Sequence, residues 1–391
     1  MNFNFNLDQR FDELNSEETK AAFYKYVKTT IKNKTPIVLK GVKEDNFWKS
    51  DLYECAVPTS HFSSIKIPTD SNIENGTEIY VSLSDKILEQ FTTGTKLLFK
   101  GNEINILRGS AKLKITLEEA AEATQEKLND FLSILNTDTN NFVSKVGVTQ
   151  GTDVSKFLLE ITSSPEASVF ITPSSITLLK ESVFCRHSIS LPNVNDTIYI
   201  NMYLANKVCS YLTYCSRVDL IKTENYMIVV GYDSNNNETV RNISSIFEAT
   251  SDNPSDEDLD SIKPAENATE IKTTLKELND TLNSQKSLIS AFIHNKNYDV
   301  KLYKNGNGLS LGFENDDNFT EKALITINVG EVKEEEPDIS EFTEYSTILP
   351  LATLISLVNE DTDIVIKYED SENTACSFIC GGYEVLSGKI W

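Results

Sequence analysis

The chain has 391 residues, 39% of them hydrophobic and 24% charged, an ordinary balance for a globular protein with room for two or three domains. Its net charge of −23 excludes a generally basic nucleic-acid binder, because phosphate contact needs local positive charge. No run approaches the ~18 apolar residues of a membrane span, and the opening MNFNFNLDQRFDELN has neither a basic region nor an apolar core, so an intracellular, cytoplasmic protein is expected.

In chain order, Asn2–Leu7 alternates Phe and Leu with Asn and predicts a short strand. Ser16, Glu17 and Glu18 suit the start of a helix that runs to about Lys34 and is stopped by Pro36. Phe23, Tyr26, Val27, Thr30 and Ile31 form its buried stripe; Lys25, Lys28 and Lys32 share a stripe away from it, which Lys20 and Lys34 extend. Ile37–Lys40 restarts as strand, and residues 41–67 give no clear pattern. From Glu78 the order is strand to Leu83, helix Asp85–Phe91, strand Lys96–Lys100 and a hairpin through Glu103–Leu107 and Ala111–Leu117.

Residues 118–135 predict a helix with Leu128, Phe131, Leu132 and Leu135 on one side, read as a linker. Beyond it come a helix at Val154–Thr162 and strands at Ser168–Thr172, Ser175–Lys180 and Phe184–Leu191. Then the earlier order returns: strand Thr197–Ile200, helix Tyr203–Cys215, strands Val218–Lys222 and Met227–Tyr232. An acidic loop, 252–260, closes this part. A long helix is expected over Thr269–Phe292, with Ile271, Leu275, Leu278 and Leu282 buried and Lys272, Lys276, Asn279, Asn283 and Lys286 forming a polar line without acid. Strands follow at Val300–Lys304, Leu309–Phe313 and Ala323–Val329, the first two joined by the hairpin signal Asn305–Gly306–Asn307–Gly308. The order returns a third time: strand Tyr345–Leu349, helix Leu351–Val358, strand Asp363–Tyr368 and a last hairpin through Ala375–Trp391.

One half-domain therefore occurs three times, which points to an array of repeated units rather than one catalytic core. The domains read as 1–117, a linker helix 118–135, 136–262 and 263–391. The class is α+β, each domain with two helices packed on antiparallel sheets.

Enzyme signatures are missing: no GxxxxGK[ST], GxSxG or HExxH occurs, and Gly381–Gly382 opens no helix. His61, His187 and His294 lie far apart. The six cysteines form no CxxC pair; Cys376 and Cys380 share a strand face and read as buried thiols, with a metal site the weaker alternative. No catalytic residue, metal or cofactor is expected. The acid is concentrated in Asp252–Asp260, Glu314–Glu321 and Glu331–Glu344, all read as loops. Against it stand the basic helix faces, to which Lys86, Lys156, Lys207 and Arg217 add single cations. Lysines without interleaved aromatics suit phosphate contact, not base reading.

Residues 77–117, 168–192, 298–330 and 345–391, the last ending YEVLSGKIW, resemble the three-domain bacterial DNA polymerase sliding clamp over most of the chain. The resemblance implies a homodimeric ring of repeated domains that encircles double-stranded DNA through non-specific phosphate contacts. It also implies tethering of a DNA polymerase and service by a clamp loader. Helices would line the hole, bringing Lys20, Lys25, Lys28, Lys32, Lys86, Lys156, Lys207, Arg217, Lys272, Lys276 and Lys286 toward DNA. It implies a partner-peptide cleft formed by Leu179, Val183, Phe184, Phe247, Ile262, Val385, Leu386, Ile390 and Trp391. Ser182–Val183–Phe184–Cys185 and Ser387 depart from the family's pattern there. Asn-, Lys- and Ile-rich usage hints at a phage or viral version. Two other readings stand beside it: a clamp recruiting transcription or repair factors, and a virion structural or adhesion protein built of repeated sheets.

Overall fold

The computed structural model describes residues 10–33, 37–54, 59–69, 72–180, 183–246, 256–285, 287–288, 299–314, 324–333, 343–346, 357–358, 361–369 and 374–387. Two compact units result, each assembled from two stretches of chain: 1–152 with 206–247, and 153–205 with 248–391.

In the first unit, helix α1 (Glu17–Asn33) is capped by Ser16, whose Oγ accepts from Thr19 N at 3.1 Å. Phe23, Tyr26, Val27 and Thr30 are buried as expected, with Ala22 and Tyr24 beside them. The unassigned stretch 41–67 is strand: β1 (Ile37–Glu44), β2 (Phe47–Glu54) and β3 (Thr59–Pro68) form a meander closed by β4 (Glu78–Leu83). Then come α2 (Asp85–Leu88) and the sheet β5 (Thr95–Lys100), β6 (Glu103–Arg108), β7 (Ala111–Thr116). The expected linker helix is α3 (Glu122–Leu135), followed by β8 (Ser144–Val148). Leu128 and Leu135 of α3 are buried over a sheet face carrying Val38, Tyr53, Ile221, Ile228, Val230 and Ile243. The helix is thus a cover for that sheet and not a bare connector.

In the second unit lie α4 (Asp153–Ile161) and the strands β9 (Ser168–Ile171), β10 (Ser175–Lys180), β11 (Val183–Ser188) and β12 (Ile198–Asn201). Helix α5 (Met202–Leu212) leads back into the first unit through β13 (Arg217–Lys222), β14 (Tyr226–Tyr232) and β15 (Glu238–Ser245). The acidic stretch expected as loop is partly helical: α6 covers Asp256–Ser261 and buries Leu259.

The expected helix Thr269–Phe292 is corrected. Thr269–Thr274 is strand β16, whose β-branched Ile271 lies opposite Ile366. Helix α7 begins only at Leu275 and ends at Ser284; Thr274 caps it by accepting from Glu277 N at 3.1 Å. After it, β17 (Asp299–Asn305) and β18 (Gly308–Glu314) form the expected hairpin, with Gly306 at φ +64° in the turn. β19 (Leu324–Val329), β20 (Thr343–Ser346), β21 (Asp363–Tyr368), β22 (Cys376–Cys380) and β23 (Tyr383–Ser387) complete the chain. Thr343 and Glu344, expected in an acidic loop, open β20. The expected strand Asn2–Leu7, most of the helix Leu351–Val358 and the last four residues lie outside the described residues.

Sheet order makes the repetition explicit. β4-β1-β2-β3, β12-β9-β10-β11 and β20-β17-β18-β19 are the same four-strand set three times. The half-domain signal is likewise β4-α2-β5-β6-β7, then β12-α5-β13-β14-β15, then β20 to β21-β22-β23. Sets from successive repeats join at seams: β3 pairs with β15 in the first unit, and β11 with β23 in the second, giving two eight-stranded antiparallel sheets.

Candidate nucleic-acid interface and partner cleft

In the first unit, α1 turns Lys25 and Lys28 outward, and Lys86 stands exposed on α2. These three lysines have no ion-pair partner among the described residues. A groove of about 940 Å³ runs beside α1, with Ala21, Tyr24, Leu88 and Phe91 in its walls and Lys25 and Lys28 among its lining residues. Lys20 is different. It is 8% exposed and held by Asp12 at 2.9 Å and Glu17 at 2.5 Å. Burial alone would lower its pKa, but hydrogen bonds to Glu17 and Asp12 hold it above the ordinary value. Asp12 also takes Lys96 at 2.8 Å. Lys20 is therefore buried between two carboxylates and is not presented to a phosphate as Lys25 and Lys28 are. The side chain of Lys32 lies outside the described residues.

Lys207 is corrected on the same ground, and Arg217 in its element. Lys207 is buried on α5, its Nζ 3.3 Å from the equally buried Glu54. Arg217 sits on β13, not a helix, stacked 4.5 Å from the centre of the Tyr232 ring with Nε 3.0 Å from Asp219. Lys207 is committed to the fold, while the Arg217 side chain stays 39% exposed.

In the second unit, Lys156 of α4 donates to Leu357 O at 3.2 Å. Lys272 is on β16 and pairs with Glu270 at 2.9 Å, which raises the pKa of the lysine and lowers that of the glutamate. The acid-free line is thus overturned: residues 270 and 272 point to one side of a strand, where helical spacing had separated them. Lys276 is exposed on α7, 3.7 Å from Asp361. Lys286 lies outside the described residues. Lys272 and Lys276 remain solvent-facing cations whose partners can exchange; Lys20 and Lys207 do not.

The cleft residues divide by strand parity. Phe184 lies opposite Leu386 across the β11–β23 seam and opposite Leu179 on β10. Phe184 and Ile262 pack on Leu386 together with Leu259 of α6 and Ala375. Val183 and Val385 are one residue out of step, so they face the other side, buried at 1% and 0% exposure. They support the sheet and do not line this apolar patch. Phe247, Ile390 and Trp391 lie outside the described residues. Leu259 and Ala375 were missed, although Leu259 is the lone apolar residue in DEDLD. So was the charged rim. Arg186 contacts Asp260 and Glu384, both at 3.1 Å, and Lys263 contacts the same two carboxylates at 2.8 and 2.9 Å. Lys263 and Arg186 hold the Asp260 carboxyl below its ordinary value.

On the opposite face of that seam, His187 stacks on Tyr383 with ring centres 4.3 Å apart, and Asp153 of α4 accepts from Tyr383 Oη at 2.7 Å. Cys376 and Cys380 are buried, as expected, and burial pushes both thiols up. Among the described residues no group of three His, Cys, Asp or Glu could hold a metal ion.

No protein-family model matches the chain, and no curated protein matches its sequence. Solved structures match throughout its length. The DNA polymerase III beta subunit of Thermotoga maritima superposes with TM-score 0.62 at 11% identity, covering 95% of this chain and 98% of its own. The DNA polymerase sliding clamp of Caulobacter crescentus gives 0.62 at 11%, with the same coverage. The Helicobacter pylori beta clamp bound to a DNA ligase peptide gives 0.59 at 12%, covering 95% and 97%. The chain therefore has the fold of the bacterial beta clamp.

Proposed function

We propose that this chain is the protomer of a DNA sliding clamp: a homodimeric ring that encircles duplex DNA and tethers a replicative polymerase without catalysing a reaction itself. Its domains would be 1–117, 136–262 and 263–391, with α3 between the first two. The observation that carries this reading is the pair of seam strands left over by the repetition. β3 joins β15 and β11 joins β23, so the next equivalent junction is β19 with β7. Each is an end strand among the described strands of its sheet. A head-to-tail contact between β19 of one copy and β7 of a second, made twice, closes a two-fold ring. Leu113 on β7 is 44% exposed and would be covered by that contact.

Within the ring, Lys25, Lys28 and Lys86, with Lys272 and Lys276, would meet phosphates non-specifically, while the surplus acid keeps DNA off the remaining surface. The patch of Phe184, Leu386, Ile262 and Leu259 would take an apolar partner peptide from the polymerase, with a clamp loader using the same face. A repair factor is a second candidate occupant, favoured by the ligase peptide on the Helicobacter clamp. A cytoplasmic setting, in a bacterial host if the gene is a phage's, follows from that role.

Retention on DNA tests the reading. Chain loaded on nicked circular DNA should stay bound through gel filtration and leave when the circle is cut. The double reversal Lys25→Glu, Lys28→Glu should shorten retention roughly tenfold at moderate salt, each lost phosphate contact also flattening the salt dependence by about one power. Equal retention on linear and circular DNA, or none on either, would sink the clamp in favour of a structural protein of repeated sheets.

A further inference from the structure

The β3–β15 seam consists of few pairs, from Thr59–Ile243 to Phe62–Val240, and His61 lies directly opposite Arg241 within it. Arg241 is the fastening of α3. Its Nη1 donates to Leu135 O at 2.7 Å and Thr137 O at 3.2 Å, the last carbonyl of that helix and one in the turn just beyond it. Its Nε and Nη2 hold Glu238, both at 2.8 Å. On the other side of His61, Tyr53 stacks face to face, ring centres 5.3 Å apart at 12°. The imidazole Nδ1 is buried without a hydrogen-bond partner. A polar cavity of about 410 Å³ adjoins these groups and gives a proton a way in.

We propose that this seam is acid-labile: a proton on His61 draws Glu238 away from Arg241 and lets the C-terminal end of α3 lift from the sheet. The charged and titratable groups around the imidazole are Asp51 and Tyr53 on β2, Glu238 and Arg241 on β15, and Asp138 after α3. Burial pushes His61 below its ordinary value; Asp51 and Glu238 oppose that shift and Arg241 adds to it. A lowered imidazole pKa means the opened seam binds a proton that the closed seam does not. The closed seam is therefore favoured above about pH 6.5 and loses ground as pH falls through the window below it. Glu238 is the natural acceptor for the new N–H, and a hydrogen bond it accepts from His61 competes with those it accepts from Arg241. Neither the clamp reading nor DNA is needed for this switch.

Amide hydrogen exchange on the full chain, corrected for intrinsic pH dependence, reads it. Uptake of one proton on opening raises the opening equilibrium by up to about tenfold per pH unit below ~6.5. Between roughly pH 7.5 and 5.5, residues 59–62, 128–135 and 240–243 should therefore gain exchange faster than the rest of the first unit. His61→Phe keeps a ring on Tyr53 but has no proton to gain, so its pattern should not change with pH. The same acid response in His61→Phe, or no local response in the parent chain, overturns the proposal. Should that variant fail to fold, NMR titration of His61 in the parent chain decides: a midpoint below about 6.5 supports the switch, and one at or above it refutes it.

Discussion

Lys207 carries the lesson of the residue scale. As a lone cation on a helix it reads as a DNA contact; in the structure it is buried against Glu54, which also accepts from Ser60 Oγ. Removing one member of a buried pair strands the other charge, so Lys207→Met should cost about 3–5 kcal/mol, while adding Glu54→Leu should return most of the loss. Denaturant midpoints of the two single variants and the double give the coupling directly. A double variant no better than Lys207→Met would mean that the pair is not what holds this site. The sequence did carry a warning. Lys207 sits at i+3 from Leu204 and adjoins Val208, both fully buried, so helical spacing puts it on the apolar face of α5. Lys25 and Lys28 pass the same inspection because Ala21 and Glu17, four and eight residues before Lys25, are exposed, and Lys28 lies one turn on from Lys25. Partnership is harder to foresee than face: nothing in the chain order announces that Asp12 gathers both Lys20 and Lys96.

Elements were legible where one period dominated and illegible where two competed. The half-domain order was readable because its strands are short, its helices brief and its turns marked by glycine, as at Gly381, with φ +57°. β2 and β3 escaped because β2 buries Tyr53 and Glu54 as well as the inward Trp48, Ser50 and Leu52, so clean alternation is lost, and β3 has an irregular register against β2 near Ser50. The error at Thr269–Thr274 has a nameable cause. Ile271, Leu275, Leu278 and Leu282 fit a helical stripe, yet the first belongs to β16 and only the others to α7. The stripe masks the cap pattern Thr274-x-x-Glu277, which starts the helix where the structure starts it. Thr274→Ala should therefore destabilise α7 by about 1 kcal/mol, and Thr274→Ser should lose little. Thermal unfolding read by circular dichroism checks both; equal loss from Ala and Ser would point to packing of the Thr methyl group and not to the cap.

For the whole molecule, the same grammar that builds the two eight-stranded sheets says what a second copy would supply in the proposed ring. A strand edge left open invites pairing, and lysines beside it limit that pairing to complementary partners. β7 carries Lys112 and Lys114 around Leu113, whereas β19 is flanked by the acidic runs that begin at Glu314 and Glu331. Opposite charge on the two edges favours β7 with β19 over β7 with itself, which is the head-to-tail choice a closed ring requires. In the proposed ring the net charge of −23 would have a use: acid concentrated beside one edge would select the partner edge as well as keep DNA off the outer surface. Leu113→Glu puts a carboxylate where an apolar side chain would be covered and opposite an acidic neighbour, so it should convert a dimer to a monomer at micromolar concentration. The fold of each protomer should survive, because Leu113 is already 44% exposed within its own chain. Sedimentation velocity separates the outcomes, and retention on circular DNA should fall in step with the dimer. A Leu113→Glu chain that remains dimeric, or a parent chain that is monomeric throughout that range, would remove β7 as the closing strand and the ring with it.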